Sequence, residues 1–192
     1  MEYENLKLYY KYSLNDNKNN LIEQTPRIRC HSWLRQFLQV AHNVACTQTH
    51  SITTTARYDP SYLVYTGGVN NLNTAGPANN DYYGIIVGTD DTAVTFDDYK
   101  LGAQILQGAG AGLFQYGAMT YGAPATDGGE TSFSLTRVFT NNSGSSIDVK
   151  EIGVAAYQTT NYYVLLIRDV ITPITVGIGD ILTLNYIITT EI

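Results

Sequence analysis

Apolar and β-branched positions are gathered most clearly into strand-length runs in the last quarter of the chain. Three runs rich in Val, Ile, Leu, Tyr and Thr follow one another there: Ile147–Tyr157, Tyr162–Ile171 and Ile181–Thr189. Two turn-like segments separate them, Gln-Thr-Thr-Asn and then Thr-Pro-Ile-Thr-Val-Gly-Ile-Gly-Asp. Strands of this kind at this spacing predict a mainly β protein, an antiparallel β-sandwich or jelly roll. Upstream, Tyr82–Gly88, Leu101–Gln107, Leu113–Tyr121 and Glu130–Thr140 read as further strands, with Gly122–Gly129 as a loop. In Glu130–Thr140, Phe133, Leu135, Val138 and Phe139 form the apolar set against Ser134, Thr136 and Arg137, and the doubled Val138-Phe139 marks a bulge.

The N-terminal part has a different rhythm. Residues 6–13 alternate loosely, a run of Asn and Asp over 15–20 makes a turn, and residues 21–29 extend again with Pro26 restricted to a sheet edge. This predicts a β-hairpin. Ser32 is a suitable N-cap, and Trp33, Leu34, Phe37, Leu38, Ala41, Val44 and Ala45 recur at helical spacing, with Arg35, Gln36, Gln39 and Asn43 opposite. The one helix of the chain therefore spans about residues 33–46. Two short strands, His50–Arg57 and Tyr62–Tyr65, and a long polar loop, Gly67–Asp81, follow. The expected organisation is an anchoring hairpin plus helix (1–46), a connecting region (47–81) and the main sandwich (82–192). Deleting residues 1–46 should then leave the sandwich folded.

Composition narrows the function. Charged residues make up 15% of the 192, against roughly 25% in ordinary soluble domains. A weakly charged surface does not keep copies apart, which points to a homo-oligomer. The net charge of −6 argues against nucleic-acid binding. No apolar run approaches the ~18 residues of a membrane span, and the first residues lack a secretory pattern. Cys30 and Cys46 flank the predicted helix and so stand about 24 Å apart, too far for a disulfide, as expected of free thiols in a reducing compartment.

Chemistry-bearing patterns are sparse. His31, His42 and His50 lack the spacing of a metal site. Asp90, Asp91, Asp97 and Asp98 are the candidates for a calcium loop, without the EF-hand order. The glycines of 108–112 precede a strand rather than the helix that a phosphate cradle needs. Glu130, Glu151 and Asp169 are carboxylates that a glycosidase cleft would require, but nothing in the sequence brings them together; Glu151 and Arg168 instead suggest a cross-strand ion pair. Asn141-Asn142-Ser143 is a glycosylation sequon, read here as a turn. No catalytic residue and no cofactor are expected. Of 16 tyrosines, many lie at strand ends. Trp33, Phe37, Tyr82, Tyr83, Tyr116, Tyr121, Tyr162 and Tyr163 are the interface candidates, because tyrosine offers both apolar area and a hydroxyl. The same rings suit stacking on a glycan.

Two segments carry a resemblance. Tyr83-Gly-Ile-Ile-Val-Gly-Thr-Asp-Asp-Thr-Ala-Val-Thr-Phe-Asp-Asp-Tyr-Lys-Leu101 and Leu135-Thr-Arg-Val-Phe-Thr-Asn-Asn-Ser-Gly-Ser-Ser-Ile-Asp-Val-Lys-Glu-Ile-Gly153 resemble structural proteins of tailed bacteriophages, in which a start like His31-Ser32-Trp33 also precedes the β-rich part. The resemblance implies a non-enzymatic virion protein: tail-associated, at the neck, or decorating the capsid. It would be assembled in the host cytoplasm, with itself and other virion proteins as partners; the alternative that the tyrosines offer is a glycan- or receptor-binding module of the virion, with a host-surface glycan as partner. It supplies no catalytic residue.

Overall fold

The computed structural model describes residues 6–30, 32–46, 51–53, 55, 62–64, 72–159 and 162–191, with the backbone alone for 43–46, 51–53, 62–64, 159 and 191. The strands are β1 (Leu6–Asn15), β2 (Leu21–Gln24), β3 (Ile28–Arg29), β4 (Ser51–Thr53), β5 (Tyr62–Val64), β6 (Gly84–Gly88), β7 (Gln115–Tyr116), β8 (Thr120–Asp127), β9 (Glu130–Thr140), β10 (Ile147–Thr159), β11 (Tyr162–Val176) and β12 (Ile181–Glu191). Among the described residues there is one helix, α1 (Arg35–Cys46), between β3 and β4. The fold is mainly β, and every strand pair is antiparallel.

The first sheet runs β2-β1-β12-β9-β7, with β3 also on β1 and β8 also on β9. Its inner face is built in rows that cross the strands. Leu14, Leu182 and Phe139 form one row, and Tyr10, Tyr186 and Leu135 another. All six are buried, as period-2 alternation demands of a sheet with one covered face. The second sheet is β11-β10-β6, and β4 and β5 form a separate pair. Residues 84–88 and 164–169 are buried without alternation. Both faces of this sheet are therefore covered, the inner by the first sheet and the outer by the segment around Leu101 and by α1.

Connecting segments join the two sheets along both sides. On one side β3 pairs with β1, Cys30 N–H donates to the Leu8 carbonyl, and the chain crosses so that Leu34 N–H donates to Leu166 O on β11. On the other, Ile105 N–H donates to Val87 O beside β6, and the chain returns through Phe114 to β7 on β9. These connections cover part of the β11 and β6 edges, one way in which β proteins avoid indiscriminate pairing.

Several expectations need correction. β1 is no appendage: it pairs with β12 over its full length and buries Leu8, Tyr10 and Leu14 in the common core. The hairpin is real, but its first strand belongs to the sandwich. Ser32 does not cap the helix; Trp33 bridges to Ile167 and α1 starts at Arg35. On α1 the buried positions include Gln36 and Val40, while Leu38 is 66% exposed. Residues 122–127 are strand, not loop, and the hairpin closes at Gly128-Gly129, whose φ of +55° and +90° suit a two-residue turn. The β9–β12 register runs unbroken from residue 130 to 140, so Val138-Phe139 is no bulge; Arg137 points inward and Val138 outward. β11 continues past Pro173 to Val176, with a register shift between Val149 and Glu151 that absorbs the missing donor. The expected strands at His50–Arg57 and Tyr62–Tyr65 are described only at 51–53, 55 and 62–64; His31, His50 and residues 65–71 lie outside the described residues.

Candidate functional site

Two polar constructions stand out against the apolar core, each centred on a buried arginine. Arg137 on β9 is wholly buried. Its Nε donates to Gly117 O at 2.9 Å, Nη1 to Tyr83 O at 2.8 Å and Ile85 O at 3.0 Å, and Nη2 to Pro77 O at 3.0 Å and to Asn80 O. The guanidinium also lies over the Tyr116 ring, 4.8 Å from its centre. Burial lowers the Arg137 pKa, an effect opposed by Tyr116 and Asp81. Five carbonyls, four from residues 77–85 and one from Gly117, thus converge on one cation, a match to the donor fork of arginine. Its structural effect is to hold residues 77–85 against β9.

That stretch carries Tyr82 and Tyr83. The Tyr163 ring stacks on Tyr82 at 5.2 Å and on Tyr83 at 5.7 Å, with interplanar angles of 19° and 21°. Tyr157 packs on Tyr83 at 5.6 Å and on Tyr163 at 5.8 Å. Tyr82 is 41% exposed, and the other three are half-buried. Burial and the neighbouring phenols push the Tyr163 pKa up, so its ring stays neutral at physiological pH.

The second construction is ionic. Arg168 on β11, 3% exposed, donates from Nε to Glu151 Oε2 at 2.8 Å, from Nη1 to Asp98 at 2.7 Å, and from Nη2 to Asp90 at 3.0 Å and the Thr92 carbonyl at 3.1 Å. Glu151, fully buried, also accepts from the N–H groups of Gly102 and Ala103 at 3.0 and 2.8 Å. A Cβ on Gly88 would collide with Glu151 Oε1 and the Ala103 carbonyl, which is why glycine ends β6. Lys150 bonds Asp91 at 3.0 Å and Arg35 bonds Asp97 at 2.9 Å. The segment 89–103 is therefore strapped across the outer face of the second sheet largely by ion pairs.

This strap should respond to acid. Burial would raise the Asp98 pKa, but the Thr95 N–H and hydroxyl and the Arg168 guanidinium together hold it below the usual carboxylate value. A group depressed in the fold stabilises it above the unfolded pKa of about 4, and that stability is lost as pH falls through the folded value. Trp33, the single tryptophan of the chain, lines a small cleft with Val94, Thr95 and Phe96. Its emission should change below about pH 4, and Asp98→Asn should flatten that change. An identical acid limb in the variant would rule out the Asp98–Arg168 contact as its origin.

The sequence candidates divide accordingly. Tyr82, Tyr83 and Tyr163 come together, joined by Tyr157, which the sequence did not single out as an interface residue. Tyr116 is 2% exposed, its hydroxyl bonded to the Ile105 carbonyl, so it is a core residue and no interface candidate. Tyr121 stands half exposed on β8, and Tyr162 opens β11. Trp33 and Phe37, with ring centres 4.1 Å apart, line an apolar cavity of about 250 Å³ with Leu6, Leu72 and Phe133. The carboxylates do not converge: Glu130 pairs with Arg27 at 2.7 Å, Glu151 with Arg168, and Asp169 is buried beside Cys30, a free thiol whose pKa burial and Asp169 push up. The predicted Glu151–Arg168 pair is present. Asn141 of the sequon is buried, its amide held by the Ser145 and Val176 carbonyls. Each of Asp90, Asp91, Asp97 and Asp98 faces a basic side chain, and among the described residues no group of three or more His, Cys, Asp or Glu is placed to hold a metal. No described helix is long and apolar enough to cross a membrane.

The class that fold and site define is an antiparallel, sandwich-like β protein with one helix and two arginine-centred interior clusters. Comparison with protein-family models, with curated proteins and with solved structures finds no match to the chain.

Proposed function

We propose that this chain is a non-enzymatic structural protein of a tailed-phage virion, which self-associates and docks onto the capsid, neck or tail. The observation that carries self-association is where the charges go. Of 11 basic and 17 acidic residues, Arg137, Arg168, Glu151, Asp81 and Asp169 are buried, and Arg168 also engages Asp90 and Asp98. With these side chains off the surface, the exposed charge stays at the low level of the composition, and copies meet with little repulsion. β8 adds an entirely exposed strand, Thr-Tyr-Gly-Ala-Pro-Ala-Thr-Asp, with one charge. Pro124 and the register shift between Gly122 and Ala125 blunt its backbone edge. Partners therefore meet its side chains rather than extend the sheet. The virion assignment comes from the resemblance of residues 83–101 and 135–153.

A glycosidase would need one carboxyl kept protonated beside a second. The cleft of about 430 Å³ at the strap does hold Asp90 and Asp98, but both bond the same guanidinium, and Asp98 is held ionised. That favours an ionic clasp over acid catalysis. Sedimentation velocity over a micromolar concentration series should show a discrete homo-oligomer, and electron microscopy of the native particle should show the chain in it. A monomer throughout the series would overturn self-association; particles that lack the chain would overturn the virion assignment.

A further inference from the structure

We propose that the cavity between the two sheets beside Trp33 is a binding site for one small uncharged hydrocarbon ligand, a short alkyl chain or an apolar ring. Its position follows from the strand register. Beyond the row of Tyr10, Tyr186 and Leu135, the inner face of the first sheet continues with Leu8, Ile188 and Phe133. Leu8 is buried, but Ile188 is only half-buried and Phe133 is 37% exposed. The packing between the sheets stops short at this end, and a space of about 250 Å³ remains. Phe133, Leu135 and Ile188 line it from the first sheet, Val154 and Ile167 from the second. Protein interiors are close-packed and hold few voids larger than a water molecule. A space of this size is a feature of ligand sites rather than of a finished core. Its wall is fixed before any ligand arrives. Trp33 bridges to Ile167, and Leu34 N–H donates to Leu166 O at 3.0 Å. The Trp33 and Phe37 rings pack on each other with centres 4.1 Å apart. A surface built in advance loses little freedom on binding.

Charge complementarity selects the ligand class. Among the described residues the lining carries no charged side chain, and Thr74 is its one polar member. A charged or strongly polar guest would give up its water here without finding partners. A hydrocarbon guest loses nothing of that kind; it gains dispersion contacts and removes apolar surface from water on both sides. Leu6 and Leu72 also line the space and are 52% and 44% exposed, so it opens to solvent between apolar side chains. An apolar cavity of about 150 Å³ already takes benzene, and this one has room for a larger ring or a short chain. An apolar side chain of another protein is the competing occupant. The space lies between the sheets, with a wall from each, which suits a guest that fits wholly inside it. This inference goes beyond self-association and does not depend on it.

The test uses the full chain, with benzene and 1-octanol as probes. Trp33 is the single tryptophan and lines the cavity, so its emission reports occupancy. A saturable change is expected, with a dissociation constant of about 0.1–1 mM for so small a ligand. Methyl NMR shifts should be confined to residues of the lining such as Leu135, Val154, Ile167 and Ile188. Ile188→Phe and Val154→Phe put a larger side chain into the space and should weaken binding by at least about tenfold. Dispersed methyl signals verify that each variant folds; if neither does, the location of the shifts in the parent decides. No saturable change in the parent overturns the proposal, as do shifts spread over the whole molecule or undiminished binding by a folded variant. Shifts at the lining on a change of protein concentration, with no probe bound, would overturn it and assign the cavity to a subunit contact. Capture by phosphatidylcholine vesicles with no probe bound would overturn it in favour of a membrane surface. A monomer that binds the probes would support the site and overturn self-association alone.

Discussion

Arg137→Met is expected to destabilise the protein by at least about 4 kcal/mol, a large part of the ~5–15 kcal/mol that holds a domain of this size. The side chain is of similar length, so no large cavity is created. What is lost is a donor for five carbonyls at Gly117, Tyr83, Ile85, Pro77 and Asn80. A carbonyl left buried without a donor costs about 1–3 kcal/mol. Replacing a buried ion pair by apolar groups is often harmless, because both charges leave together. Here only the donor leaves. Arg137→Lys should rescue little: three donors at one point cannot reach carbonyls spread around a planar fork. Urea unfolding followed by circular dichroism measures the loss. A midpoint for Arg137→Met near that of the parent would show that water or rearrangement satisfies those carbonyls.

Deletion of residues 1–46 is expected to unfold the whole chain. It strips β1 from β12 along ten paired positions and leaves that edge open. It also removes Leu8, Leu14, Leu34 and Val40, each buried to 4% exposure or less. At about 1.5–3 kcal/mol for each buried aliphatic side chain, the loss rivals the entire stability of an ordinary domain. The segment that joins β3 to β11 goes as well. A truncated protein with dispersed amide signals and a cooperative thermal transition would show that residues 47–192 fold alone, as the sequence pattern suggested. Against that, the core rows draw on β1, β12 and β9 together.

The two predictions differ in how far the sequence anticipated them. Period-2 alternation located β9, because a sheet with a covered face repeats its apolar residues at every second position; β10, β11 and β12 were legible as runs rich in Val, Ile, Leu and Tyr bounded by turn residues. Applied strictly, the same rule runs through Phe133, Leu135, Arg137 and Phe139 and places Arg137 inside. In the sequence Arg137 reads as polar, because charge is normally excluded from a core. The five carbonyls that make it acceptable there lie on residues 77–117 and are invisible in a local pattern. Glu151–Arg168 was legible because the two fall on neighbouring strands. Their capture of Asp90 and Asp98 was not, since those residues sit on a strap about 70 positions away from Arg168. Tyr116 looked like a surface ring for a similar reason: its hydroxyl finds the Ile105 carbonyl only once the chain folds back.

By itself the sequence determined that this is an antiparallel β protein with a single helix, weakly charged, built on a hairpin and three long closing strands. Those properties follow from local periodicity, turn residues and composition, which neighbouring positions along the chain suffice to express. Only the tertiary structure decided that β1 is part of the sandwich, that two arginines are interior hubs, and that Tyr82, Tyr83, Tyr157 and Tyr163 meet in one aromatic cluster. Those arrangements depend on groups far apart in the chain meeting at hydrogen-bonding and van der Waals distance, and such meetings are settled by which strands pair rather than by any short stretch of residues.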